Sequence, residues 1–317
     1  MRYAHWMMLV FVTVEVSSCG GSDDVDIDSS VTPEQACSDA AAAFCGKSES
    51  CAPFFLKVFF TQSTPCTDFF KTQCLASLKA AHTGATPAAF EQCAREVSAE
   101  TCTDSLSHNP PASCHAAGGS VTNGGACGDD WQCASGRCSV PQDSTCGVCA
   151  DRAGAGSACK VDDDCQYGSL CANQLCVMPV PAGMACDANH PCAAPNVCNG
   201  ATLTAQGTCG APAAAGQSCA NNIRCDLTKG EFCNPQTTTC QSAAIAQAGE
   251  PCGLVAGNIV FCGGALFICN GATALNPTGT CPALVDPGGA CSDSAPCKTG
   301  SKCVSGVCKA LDPAACQ

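Results

Sequence analysis

Residues 159–176, CKVDDDCQYGSLCANQLC, place four cysteines in one short stretch. Whether these sulfurs cage a metal, form a redox centre or staple the chain decides the fold. A zinc site wants two close Cys-x2–4-Cys or Cys/His pairs, so that four ligands converge. Here the dominant gaps are five residues. The chain's one Cys-x-x-Cys, Cys146–Cys149, lacks the strand–helix context of a redox motif. The histidines after the leader, His82, His108, His115 and His190, are scattered and read as surface residues. Four is the even count that two disulfides require. The cysteines read as staples, with no zinc and no cofactor.

Composition agrees. The chain has 317 residues and 35 cysteines, a density at which a disulfide scaffold in an oxidising compartment is the default reading. Of twelve Phe, eight fall between residues 44 and 90. The C-terminal two-thirds carries only Trp131, Tyr167, Phe232, Phe261 and Phe267 as aromatics. So little apolar mass cannot fill one large core, and the region must divide into small crosslinked units. The formal charge of −13 repels nucleic acid and anionic headgroups.

The opening stretch recurs. Aligned on Gly-x-x-Cys, six units start near Gly124, Gly156, Gly183, Gly216, Gly249 and Gly288. Their frame is G-x2-C-x5-C-x5-C-x4-C, with insertions between cysteines.

Residues 32–117 read differently. Thr32-Pro33, Thr64-Pro65 and Thr86-Pro87 look like helix starts, with Thr as N-cap and Pro in the first turn. Thr32 and Gln35 match a capping box. Helical faces follow: Cys37, Ala41, Phe44 and Cys45; Phe55, Val58 and Phe59; Cys66, Phe69, Phe70, Cys74 and Leu78; Phe90, Cys93 and Val97. Eight cysteines among them give a helical bundle with four disulfides. Its Phe pairs read as core, with an exposed greasy surface as the alternative. Pro110-Pro111 and the glycines that follow mark an exit linker.

At the start, Arg2 precedes an apolar run from Trp6 to Val14, too short to span a bilayer but suited to a signal peptide. The run ends at Val16-Ser17-Ser18-Cys19, which resembles the lipobox of bacterial lipoproteins. That resemblance implies cleavage before Cys19, acylation of its thiol and a membrane anchor there. Gly20 in place of the Asp that retains such proteins at the inner membrane implies the outer membrane. Removing Cys19 from 35 cysteines leaves 34, an even number that can all pair. The acidic segment GGSDDVDIDSS reads as a disordered tether. The organisation is a signal peptide at 1–18, anchor and tether at 19–31, a helical domain at 32–117, a linker at 118–126 and six repeats over 127–317.

Cys159, Asp162, Asp164, Cys165, Gly168 and Cys171 form C-x2-D-x-D-C-x2-G-x2-C, which resembles the N-terminal cysteine-rich module of Dickkopf proteins and the EB module. Lipobox, eight-cysteine domain and repeats together resemble the multi-cysteine surface lipoproteins of myxobacteria. The fold class expected is small and disulfide-rich: a helical bundle, then a linear array of six loop-rich modules with minimal β-hairpins. Four cysteines allow three pairings. First to third and second to fourth ties both loops into one bead, and resembles the wiring common in such modules. It gives Cys159–Cys171 with Cys165–Cys176, Cys186–Cys198 with Cys192–Cys209, and Cys219–Cys233 with Cys225–Cys240. It also gives Cys252–Cys269 with Cys262–Cys281 and Cys291–Cys303 with Cys297–Cys308. The second bead is expected to close around Tyr167 and Leu170. Cys146, Cys149 and Cys316 exceed the frame, and their pairing stays open.

The recurring Asp129-Asp130, Asp162 to Asp164, Asp187 and Asp293 suit Asx-turns better than an ordered calcium series. Nothing matches a nucleophile elbow, phosphate loop or zincin helix. The expectation is a non-catalytic, lipid-anchored surface or envelope protein, a stalk of crosslinked beads that binds a protein or glycan. The alternative is a protease inhibitor displaying the stretched segments 199–208 and 270–280, both opening Asn-Gly-Ala-Thr.

Overall fold

The computed structural model describes residues 31–264, 268–273 and 276–316. The lipobox, Cys19 and nearly all of the acidic tether lie outside the described residues, as does the middle of segment 270–280.

Five helices come first: α1 (Pro33–Cys51), α2 (Pro53–Phe60), α3 (Ser63–Lys79), α4 (Pro87–Ala99) and the single turn α5 (Cys102–Ser105). Thr32 caps α1 by accepting the Gln35 N–H at 3.2 Å, and Thr86 caps α4 by accepting the Ala89 N–H at 3.2 Å. Two expectations are corrected. The Gln35 amide donates to Asp39 at 2.7 Å instead of reaching back to Thr32, so only half a capping box forms. Thr64 is not a cap: α3 begins at Ser63 behind Gln62, and Pro65 sits within a first turn where its missing N–H is no loss.

Four disulfides staple the bundle. Cys37–Cys74 and Cys45–Cys66 tie α1 to α3, Cys51–Cys102 ties α1 to α5, and Cys93–Cys114 ties α4 to the turn at Ala112–Cys114. Buried Leu56, Phe59 and Phe60 pack with half-buried Phe69 and Phe70, while Phe90 joins Ala36, Ala40 and Ala94 in a second cluster. The Phe pairs are core.

The six units are small sheets, antiparallel except that in the fifth the strand Ala244–Ala246 pairs in parallel with Asn258–Cys262. Three are plain hairpins: Leu170–Ala172 with Leu175–Val177, Glu231–Asn234 with Thr239–Ser242, and Ser301–Val304 with Val307–Ala310. The first and third units add one short strand each, and the fifth has four strands. Once Cys146, which bonds outside its unit, is set aside, pairing runs first to third and second to fourth throughout. The first unit has Cys127–Cys138 and Cys133–Cys149. The others have Cys159–Cys171 with Cys165–Cys176, Cys186–Cys198 with Cys192–Cys209, and Cys219–Cys233 with Cys225–Cys240. Cys252–Cys269 with Cys262–Cys281 and Cys291–Cys303 with Cys297–Cys308 complete the set. The hairpin register gives the reason: third and fourth cysteines lie opposite each other, as Cys171 opposite Cys176. The first cysteine therefore anchors one strand and the second the other. A loop near 15 residues closed this way is worth about 3 kcal/mol in the chain-entropy model.

The backbone repeats as strictly as the sulfurs. The glycine three before each first cysteine has φ between +80° and +87°, a conformation that Gly adopts without penalty. Its N–H donates to the carbonyl of the unit's fourth cysteine, at 2.8 Å from Gly156 to Cys176 and 2.7 Å from Gly288 to Cys308. Each unit also starts earlier than the glycine. The residue six before the first cysteine bridges in parallel to the second cysteine, as Val121 does to Cys133 and Ala153 to Cys165. Residues 121–126 of the expected linker at 118–126 therefore already belong to the first unit.

The beads do not stand clear of the bundle. The array follows the sequence order but curves back around the helical bundle. Trp131 of the first unit packs on Phe90 at 5.2 Å between ring centroids, and Tyr167 of the second stacks on His115 at 4.6 Å. Phe54 in α2 meets Phe232 of the fourth unit at 5.5 Å and Phe261 of the fifth at 5.3 Å. In the sixth, the Thr299 hydroxyl donates to the Phe59 carbonyl at 2.9 Å. Cys146–Cys316 then joins the first unit to the chain's end across a separation of 170 residues, against 11 to 19 inside the units. The bundle has aromatic surface to spare and the units have almost no core of their own, so each covers the other.

Candidate functional site

In each of the first five units three cysteine sulfurs lie within 4.8 Å of one another, the grouping of a metal cage. Those of the first five units all sit in S–S bonds and offer no thiolate.

Asp130, Asp162, Asp164 and Asp187 bind backbone N–H groups. Asp130 Oδ1 accepts the Cys138 N–H at 2.6 Å, and Asp162 Oδ1 accepts the Cys171 N–H at 2.6 Å. Asp164 Oδ2 accepts from Lys160 at 2.5 Å and Val161 at 3.2 Å. In the first unit Gln132 takes that place toward Gly128 and Asp129. Asp293 is exposed.

Two of the four histidines are not at the surface. The second bead does not close on Tyr167, whose ring faces outward into a charged joint between the bundle and the first two units. The bead's interior is the cystines themselves with Ala153. In the joint His115 is buried, His108 Nε2 lies 3.8 Å from Asp162 Oδ2, and the His108 carbonyl accepts the Gly168 N–H at 2.9 Å. The Arg152 guanidinium sits 4.5 Å over the Tyr167 ring and 3.2 Å from the buried Asp130 carboxylate. Arg137 pairs with Asp164 and donates to the Asp163 carbonyl at 3.0 Å. Burial pushes the carboxyls of Asp130 and Asp163 up to about 7, only partly offset by Arg152. Burial also lowers His108 to about 4 against the pull of Asp162. The signal for these residues was the rarity of Arg in a chain of charge −13, two of them beside Asp-rich loops.

The stretched segment 199–208 is a hairpin end with a fixed base. Strands Val197–Asn199 and Gly207–Gly210 pair with Cys198 opposite Cys209, and each cysteine is bonded into the unit. The Asn199 side chain accepts the Arg224 N–H at 2.9 Å and donates to the Ala211 carbonyl at 3.1 Å, bracing the third unit on the fourth. At the tip the Thr202 N–H donates to the Ala205 carbonyl at 2.9 Å, and Thr202 Oγ1 accepts the N–H groups of Thr204 and Ala205. Leu203 stands fully exposed on this turn. In segment 270–280 Thr273 and Asn276 make the same two kinds of bond, at 2.7 and 3.0 Å. Asn270 likewise braces the sixth unit through the Ser294 carbonyl at 2.6 Å.

Beside the 199–208 turn lies an open depression of about 530 Å³, lined by Asp187, Ala188, Cys198, Ala201, Thr202, Leu203, Asn222 and Arg224. Asp187 Oδ1 accepts from the Asn189 and His190 N–H groups and from His190 Nδ1, and Oδ2 accepts from Gln206 Nε2 at 2.9 Å. The Gln206 amide and these further donors hold its carboxyl well below the usual carboxylate range. Among the described residues no helix is long and apolar enough to cross a membrane. Set against family models, curated proteins and solved structures, the chain matches none.

Proposed function

We propose that this chain is a non-catalytic surface or envelope protein of the outer membrane, anchored by acyl chains on Cys19, that presents fixed loops to a protein or glycan. The observation that carries the reading is the clamped turn at 199–208. Its base is held by two cystines and braced on the next unit, while its tip is bare. A binder whose loop is already ordered loses little entropy on contact. The hydrogen-bonded turn at 202–205 favours this over protease inhibition, because an inhibitory segment must lie extended in the protease cleft. Anchoring is tested by changing Cys19 to Ser and fractionating cells. Release of the protein, or arrest of its processing, is expected. A correctly cleaved Ser variant still held on the membrane removes the anchor from the proposal.

A further inference from the structure

The depression between the third and fourth units holds two opposite charges that do not neutralise each other. Asp187 and Arg224 both line it, yet the ion pair Asp187 makes is with His190. Among the described residues the Arg224 guanidinium has no hydrogen-bond or ion-pair partner; its backbone alone is engaged, the N–H by Asn199 and the carbonyl by the Ala213 N–H at 2.8 Å. Asp187 Oδ1 is saturated by three donors, but Oδ2 has one, from Gln206, and keeps an acceptor direction open. The same depression is lined by the small apolar Ala188 and Ala201 and by Leu203. Thr202 Oγ1 already accepts two N–H groups, so its hydroxyl proton is left to donate.

An anion alone meets the Asp187 carboxylate as a like charge, and a cation alone meets Arg224. A group carrying both signs a few ångströms apart satisfies the two together. We infer that this depression binds the ammonium–carboxylate end of an α-amino acid, the ammonium on Asp187 Oδ2, the carboxylate on Arg224, and a small apolar side chain against Ala201 and Leu203. A planar guanidinium suits bidentate recognition of a carboxylate. The zwitterion can belong to a free amino acid or to a diamino acid whose second end is free within a cell-wall peptide. This deepens the binding reading above and rests on it.

The experiment is calorimetric titration of the full anchored chain in detergent with alanine, N-acetylalanine and alaninamide, and in a parallel arm with soluble cell-wall peptide bearing a free diamino-acid end. Alanine is expected to bind, and each blocked analogue about tenfold more weakly or worse, because each lacks one charge-assisted contact. Arg224→Gln, at an exposed position, should weaken alanine by about tenfold while leaving the disulfide map unchanged. Tighter binding of the peptide than of alanine assigns the peptide-borne source, and the reverse assigns the free amino acid. No heat with either zwitterion, equal binding of the blocked analogues, or indifference to Arg224→Gln overturns the inference. Because anchoring is read by fractionation, either claim can fail while the other stands.

Discussion

The helical bundle buries Phe54, Leu56, Phe59, Phe60 and Phe90 around four disulfides, whereas the second unit fully buries nothing larger than cysteine: Cys159, Cys165 and Cys176 with Ser169 and Ala172. Both regions are stapled, but only one has a core in the ordinary sense. The units' large side chains, Trp131, Tyr167, Phe232 and Phe261, point away from their own cystines and onto the bundle or the charged joint. A unit's shape therefore depends on cysteine spacing, and the closure of the ring depends on aromatics. The two can be separated by mutation.

The sharpest break is Phe54→Ala. Phe54 is buried and joins Phe232 and Phe261, so its loss uncouples the fourth and fifth units from α2 in one step. A cost of about 3–5 kcal/mol is expected, as for a large aromatic removed from a core. Chemical unfolding measures it. Hydrogen exchange should rise in α2 and along residues 230–232 and 261–264. Disulfide mapping should still find Cys219–Cys233 and Cys225–Cys240. A scrambled map in the fourth unit would mean that units do not hold their shape alone.

Next in size is the clasp. Replacing Cys146 and Cys316 by Ser leaves all twelve in-unit disulfides in place and removes the bond between the array's ends. The chain-entropy model gives about 5 kcal/mol for a loop this long, but the intervening cystines already shorten the free path, so about 2–4 kcal/mol is expected. Lys302, whose ammonium donates to the Pro141 carbonyl at 2.6 Å, holds the same ends non-covalently, and Gln73 of α3 ties Leu311 to the bundle. Denaturant unfolding at constant protein concentration gives the answer. A loss below 1 kcal/mol would show that those contacts and the bundle close the ring without the bond.

The units were legible because their information is local. Cysteine spacing, the glycine before it and the Asp after it all act within one hairpin, and six copies reinforce the reading. Thr32 and Thr86 were legible as caps for the same reason. The ring was not legible, because no repeat signals which side chains face the bundle. Tyr167 looked like the one residue large enough to fill its bead, yet a bead filled by cystine sulfur has no room for it. Cys146 and Cys316 were the surplus in a count, and a count carries no distance. His108 and His115 looked like solvent residues because their burial is supplied by a unit some fifty residues further on.

The smallest effect is on pH, and in the joint it has two opposed sources. Asp130 and Asp163 have carboxyls raised from 3.8 to about 7, the first cause being burial, opposed by Arg152. Between those values the native state holds more protons than the unfolded chain, so stability falls as pH rises from about 4 to about 7. His108, lowered from 6.5 to about 4 by burial, has the opposite sign over its window, where the unfolded chain binds the extra proton. The groups facing this exchange are Asp129, Asp162, Asp164, Arg137, Arg152, His115 and Tyr167. Two carboxyls outweigh one imidazole. The expected outcome is a higher denaturant midpoint at pH 5 than at pH 8. Asp163→Asn should shrink that difference and His108→Gln enlarge it. If the midpoint rises with pH instead, Arg152 and Arg137 compensate the buried carboxylates fully, and the joint is an ordinary salt-bridge network with no preference for acid.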